Sequence, residues 1–202
     1  MLPGDFSATF EKDGLRVGVV GLNSTFLQFE GGDYRGRLAL SAQQFHEACG
    51  SDGAAWARDH HVCLLLTHQP PDWLDAESRG QLDGEINVPG RFAVHVFGHM
   101  HEAFTRSVAL GGAEPRREWQ GCSLFGLEEW GEDEGKQERL HGYSAGRIEV
   151  EGDRGSIRQW PREATGHMSG HRHIVPHRAY TLEDDEGTRP ENFVVTVIST
   201  AM

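Results

Sequence analysis

The chain has 202 residues, 37% of them hydrophobic, which is enough for one domain of ordinary size and too many for a chain disordered throughout. Nineteen basic against 31 acidic side chains leave a net charge of −12, which argues against broad, sequence-independent binding to nucleic acid or an anionic membrane. No apolar run approaches the roughly 18 residues of a membrane span, and the first residues lack the basic start and apolar run of a secretory signal. No membrane partner is therefore expected, and the default compartment is the cytosol.

Taken in chain order, the first predicted strand is Leu15 to Leu22, apolar and β-branched, after the turn signal Lys12-Asp13-Gly14 and before polar Asn23-Ser24-Thr25. A glycine-rich connector leads to Ser41 through Cys49, where Ser41 and Gln44 fit a capping box and Gly50 a helix stop. The helix resumes over Trp56 after a break. His61 to Thr67 is an apolar run too short for most helices, and it stops at His68-Gln69-Pro70-Pro71, so it reads as a buried strand delivering His68 to a loop. Residues 72–88 contain one short helix. Phe92 to Phe97 forms the next strand, cut off by Gly98-His99-Met100-His101. Strand, helix, strand, helix, strand marks an α/β arrangement.

Beyond residue 102 the pattern changes to strands without helices between them: Ala103 to Leu110, Glu118 to Phe125, Gly142 to Glu151 and Ser156 to Trp160. The last two are joined by Gly152-Asp153-Arg154-Gly155 and read as a β-hairpin. Residues 163–202 read as a polar, histidine-rich tail with one strand near 193–198. The acidic run from Glu128 to Glu138 reads as a solvated loop. Cys49, Cys63 and Cys122 are odd in number and widely spaced, as expected of reduced thiols rather than a disulfide framework or a thiolate zinc site.

The chemistry-bearing residues are histidines. His68 and the pair His99 and His101 sit where apolar strands meet loops, and ligands of an open α/β sheet gather outside the carboxyl ends of its strands. Parallel, neighbouring strands would let the three imidazoles converge as metal ligands. Gly98 adds a residue without Cβ where the chain must turn sharply. Ser24, Ser144 and Cys63 have no base and orienter beside them in sequence, which leaves no nucleophilic triad and no assigned catalytic residue. His167, His171, His173 and His177 lie among glycine, serine and proline and read as a loose segment with opportunistic metal affinity.

Three segments resemble the calcineurin-like metallophosphoesterases: Val17 to Ser24, Leu64-Leu65-Leu66-Thr67-His68-Gln69-Pro70-Pro71-Asp72-Trp73-Leu74, and Val96-Phe97-Gly98-His99-Met100-His101-Glu102. The last two look like that family's strand-terminal histidine and its Gly-His-x-His motif, 31 residues apart counted from His68 to His99. Together with Glu128 to Trp130, His141 to Ser144 and Trp160 to Arg162, the resemblance covers most of residues 1–162. It implies an α/β fold, a partial metallophosphoesterase-like β-sandwich flanked by helices with a C-terminal run of β-strands. It further implies metal-dependent phosphoester hydrolysis, with His68 and His99 on one ion of a dinuclear pair and His101 on the other. Imidazole and carboxylate ligands suit Mn, Fe, Zn or Ni.

The family's earlier motifs, Asp-x-His, Gly-Asp-x-x-Asp and Gly-Asn-His-Asp/Glu, have no counterpart here: Gly4-Asp5 is followed three positions on by Ala8, and Asn23 by Ser24. The match is to a C-terminal half, and the bridging carboxylate is missing from it. The second reading is therefore a catalytically silent remnant acting as a binding or regulatory module, and the third a mononuclear three-histidine centre. Apolar faces of Leu15 to Leu22 and Val62 to Leu66 without that half lead to the expectation of self-association, or of a partner that supplies it.

Overall fold

Asp13 and Gly14 both have positive φ, 51° and 80°, and such a two-residue turn matches the right-handed twist of a hairpin. It joins β1 (Phe6–Lys12) to β2 (Leu15–Gly21), which pair antiparallel from Lys12↔Leu15 to Phe6↔Gly21. The computed structural model describes residues 2–100, 103–124, 141–166, 172–184 and 186–196. β2 pairs in parallel with β3 (Val62–Leu66), β3 with β4 (Val94–Phe97), and β4 with β6 (Arg116–Gln120), while β5 (Phe104–Val108) runs antiparallel on the far edge. The sheet order is β1-β2-β3-β4-β6-β5.

Between β2 and β3 lie two short helices whose ends are written in the sequence. Ser41 and Gln44 form a reciprocal capping box for α1 (Ala42–Ala48), Gly50 at φ 78° follows its end, and Asp52 caps α2 (Gly53–Arg58) by accepting from the Ala55 N–H. Residues 71–86 hold more than one element: a 3₁₀ turn at Pro71–Trp73, α3 (Ala76–Gln81) and a π-turn at Leu82–Ile86. These cover one face of the sheet, burying Phe45, Leu38, Leu40, Leu65, Leu82 and Ile86 almost completely. Each such side chain contributes about 1.5–3 kcal/mol relative to exposure.

A second, antiparallel sheet covers part of the other face. β7 (Gly142–Glu151) pairs along its whole length with β8 (Arg154–Gly166), whose other side pairs with β10 (Glu191–Val194) and β9 (Arg172–Pro176). Ile148, Ile157 and Phe193 of this sheet pack against Val62, Leu64, Val94 and Trp119 of the first. Gly146 lies close under that packing, where a Cβ would stand 3.0 Å from the Trp119 ring. The result is an α/β fold, a β-sandwich with helices on one outer face and a C-terminal run of strands. Among the described residues no helix is long and apolar enough to cross a membrane.

The strands differ from expectation at three places. β1 was not visible as a strand because its outer residues are mixed in character. β6 ends at Gln120 rather than running on toward Phe125. β8 runs six residues past Trp160, and the segment read as a tail contributes β9 besides β10, which overlaps the one strand expected near 193–198. That segment is held by buried polar groups as well as by Phe193 and Val195, which alternate into the core: fully buried Glu163 accepts from the Arg178 backbone N–H and side chain, and buried Arg117 bonds Glu191 and the Asn192 carbonyl. The acidic run Glu128 to Glu138 lies outside the described residues.

Candidate metal centre

Four parallel strands end on one edge, so the residues that follow β2, β3, β4 and β6 meet there. Backbone bonds lock the ends together: Leu22 N–H to Leu66 O at 3.0 Å, Gly98 N–H to His68 O at 3.0 Å, and Gly121 N–H to Phe97 O at 2.8 Å. The parallel register Leu64↔Val94 to Leu66↔Val96 sets the ends of β3 and β4 level. His68 and His99 therefore converge, with His99 Nδ1 3.2 Å from His68 Nε2 and the two rings at 72°.

The His68 backbone and the His99 ring are each held from behind. The Ser24 hydroxyl accepts from the backbone N–H groups of His68 and Gln69, 3.3 Å each, and donates to Gln69 Oε1 at 2.6 Å. His99 packs against the Trp73 ring, centroids 4.2 Å apart at 81°. On Trp73 in turn lies the Arg35 guanidinium, 5.7 Å from the ring centroid, a favourable cation–π placement. Asn23 acts as a turn residue: its side chain accepts from the Thr25 N–H and hydroxyl and donates to the Pro3 carbonyl. Ser24, Trp73 and Arg35 were missed by sequence reasoning. Ser24 was signalled only by being polar directly after a strand that ends on this edge.

The sharp turn falls on His99, not on Gly98. His99 has φ 71°, and the Met100 N–H bonds the Gly98 carbonyl at 2.9 Å, a three-residue turn with a strained central residue. Holding a non-glycine residue there costs about 1–3 kcal/mol, and such strain concentrates at functional sites.

Two imidazole nitrogens 3.2 Å apart fit adjacent positions on one transition-metal ion, because bonds of about 2.1 Å place such ligands about 3.0 Å apart in octahedral and about 3.4 Å in tetrahedral geometry. Without an ion the same contact is a hydrogen bond in which one ring donates. His68 is exposed and His99 half-buried, so the pair is open to solvent. His101 lies outside the described residues, as do Glu102, His167 and His171. Among the described residues no group of three or more His, Cys, Asp or Glu is arranged to hold a metal. The pair thus supplies two ligands, and a dinuclear set is not assembled by the described residues.

Beside the pair, starting two residues after His68 and one after His99, a cleft of about 310 Å³ is lined by Pro70, Pro71, Met100, Phe104, Arg79 and Arg106. A larger one, about 780 Å³, lies at the opposite edge along Glu149, Glu151 and Arg154 and takes no part in the site. Of the second histidine group, His173 is exposed on β9, and His177 is buried with its Nδ1 accepting from the Ala179 N–H. Burial pushes the His177 pKa down, against the pull of Glu163.

No family model and no curated protein matches the chain. Among solved structures it is similar to Vps29 of Chaetomium thermophilum, at 7% identity and a TM-score of 0.30, over 94% of this chain and 60% of that one. It is also similar to a Staphylococcus aureus protein described as a 5′-nucleotidase in complex with alpha-ketoglutarate, at 11% identity and a TM-score of 0.37, over 90% of this chain and 32% of that one. Both belong to the calcineurin-like metallophosphoesterase fold. This chain spans less than two thirds of either, and likeness at these TM-scores carries no argument about its chemistry.

Proposed function

We propose that this chain carries the histidine part of a metal-dependent phosphoester hydrolase, with His68 and His99 as ligands to one divalent transition-metal ion. The observation that supports this reading is the 3.2 Å approach of His99 Nδ1 to His68 Nε2 at the carboxyl edge of a parallel sheet. His101 is the third imidazole of the proposal, implied by the resemblance. Mn, Fe, Zn or Ni suits such ligands. When bound, the ion supplies Lewis acidity toward a phosphoryl oxygen.

The chain's own residues do the positioning. Ser24 anchors the backbone on either side of the His68–Gln69 peptide, and the Trp73 ring fixes the plane of His99. Arg35 brings a cation beside this stack in a chain of net charge −12, which favours an anionic substrate locally. The half-apolar cleft beside Pro70 and Met100 suits the organic part of a phosphoester.

The second reading, a catalytically silent binding module, is favoured by one observation: among the described residues no third donor joins the pair. Elemental analysis after Mn²⁺ or Zn²⁺ loading, combined with turnover of an aryl phosphodiester, separates the two. Hydrolysis predicts retained metal and turnover, both lost in His68→Ala and His99→Ala. Metal retained without turnover supports the silent module. Loss of neither metal nor turnover in the two variants would refute the assignment of the site.

A further inference from the structure

β1 is an edge strand: β2 pairs with one side of it, and among the described residues no strand pairs with the other. The two-residue turn closes on the hydrogen-bonded pair Lys12↔Leu15, so bonding alternates from there. Phe10, Ala8 and Phe6 direct their N–H and C=O groups inward to β2, and Ser7, Thr9 and Glu11 direct theirs to the open edge. Side chains alternate as well. Ser7 and Thr9 face the helices, bonding the Ala48 carbonyl and His60. Phe6, Ala8 and Phe10 face the other way, and Phe6 and Phe10 remain 43% and 60% exposed.

The stretch Phe6-Ser7-Ala8-Thr9-Phe10 reads the same by residue class in both directions. An antiparallel partner of identical sequence, centred on Ala8, would set Ser7 opposite Thr9 of the second copy and Thr9 opposite Ser7, with their outward backbone groups as the bonded pairs. Phe6 would then oppose Phe10 of the second copy, twice, and Ala8 would oppose its own counterpart, all as non-bonded pairs whose side chains lie closest. The interface is isologous and closes on itself, as a two-fold contact must. Asp5 precedes the strand, with its carboxylate buried and accepting from the Leu2 and Asn23 N–H groups, which bounds the pairing at Phe6 to Phe10. Edge strands are usually blunted by inward charges, proline or a bulge, and this five-residue stretch has none.

We propose that β1 is a self-association edge, through which two copies of this chain pair about Ala8 into a continuous twelve-stranded sheet formed from the two six-stranded sheets. At about 200 Å² per phenylalanine, the exposed parts of Phe6 and Phe10 supply about 400 Å² in the dimer. With the strand edges the interface reaches on the order of 1,000 Å², the low end for a specific contact. The dimer is therefore weak, with dissociation in the micromolar range. The shared net charge of −12 opposes it, so salt tightens it.

Sedimentation equilibrium on the full chain, from micromolar to several hundred micromolar, tests this with Ala8→Lys and Ala8→Glu. The wild type is expected to show a monomer–dimer equilibrium that tightens with salt. Each variant alone, with like charges opposed at the axis, is expected to associate about tenfold or more weakly. An equal mixture of the two is expected to regain association, because Lys then opposes Glu, and circular dichroism checks that both variants are folded. A wild type that stays monomeric throughout overturns the proposal. So does a dimer indifferent to either charge, or a mixture no tighter than its components.

Discussion

Acidification should destabilise this chain through one buried ring. His95 is 1% exposed on the helix-covered face of β4. The Thr67 hydroxyl has one proton and donates it to the Gln69 carbonyl at 2.9 Å, so in its 2.9 Å bond with His95 Nε2 it accepts. The imidazole is thus the neutral Nε2–H tautomer, and its buried Nδ1 meets no hydrogen-bond partner among the described residues. A second proton would have no acceptor. Burial, with a smaller contribution from the Arg79 charge, pushes the His95 pKa down from 6.5 to about 3. Between those values the unfolded chain binds a proton that the folded chain excludes, so stability is complete above the unfolded pKa and falls as pH drops below it. At about pH 5 the loss is 1.36 kcal/mol per pH unit over about 1.5 units, about 2 kcal/mol.

His95→Leu removes this titration while the chain's other groups titrate as before. Urea unfolding followed by tryptophan fluorescence at about pH 7.5 and about pH 5 gives the comparison. The wild type should lose about 2 kcal/mol more than the variant between the two, whatever the variant costs at neutral pH. A difference below about 0.5 kcal/mol would refute the tautomer argument.

Two further predictions concern the helical layer. Gly53→Ala should destabilise by about 1–3 kcal/mol, against helix propensity, because the new Cβ would stand 2.5 Å from the Phe45 ring; thermal unfolding reads the sign directly. Ser41→Ala removes the acceptor for the Gln44 N–H and breaks the reciprocal capping box, and should cost about 1 kcal/mol in urea unfolding.

Local signals were legible wherever one residue's choice acts on its near neighbours. The capping box at Ser41 and Gln44, the turn at Asp13 and Gly14, and the apolar runs ending at Leu66 and Phe97 are of this kind. So was the placement of His68 and His99 just past strand ends. β9 carries almost no periodic signal in Arg172–Pro176 and exists because β8 offers it a ladder of partners. Burial of Glu163 is likewise invisible without Arg178, fifteen residues on.

Sequence alone determined which residue types stand at the ends of which strands, since hydrophobic runs, caps and turns act over a few residues. Tertiary structure decided what those residues meet. Parallel register brings His68 to His99, Ser24 crosses from β2 to hold the His68 loop, and Trp73 supplies the seat for His99. It also decided that, among the described residues, β1 has one open edge and His95 has no second proton acceptor. Contacts of this sort join residues distant in the chain, and their energy exists only once the sheet has fixed the spacing between them.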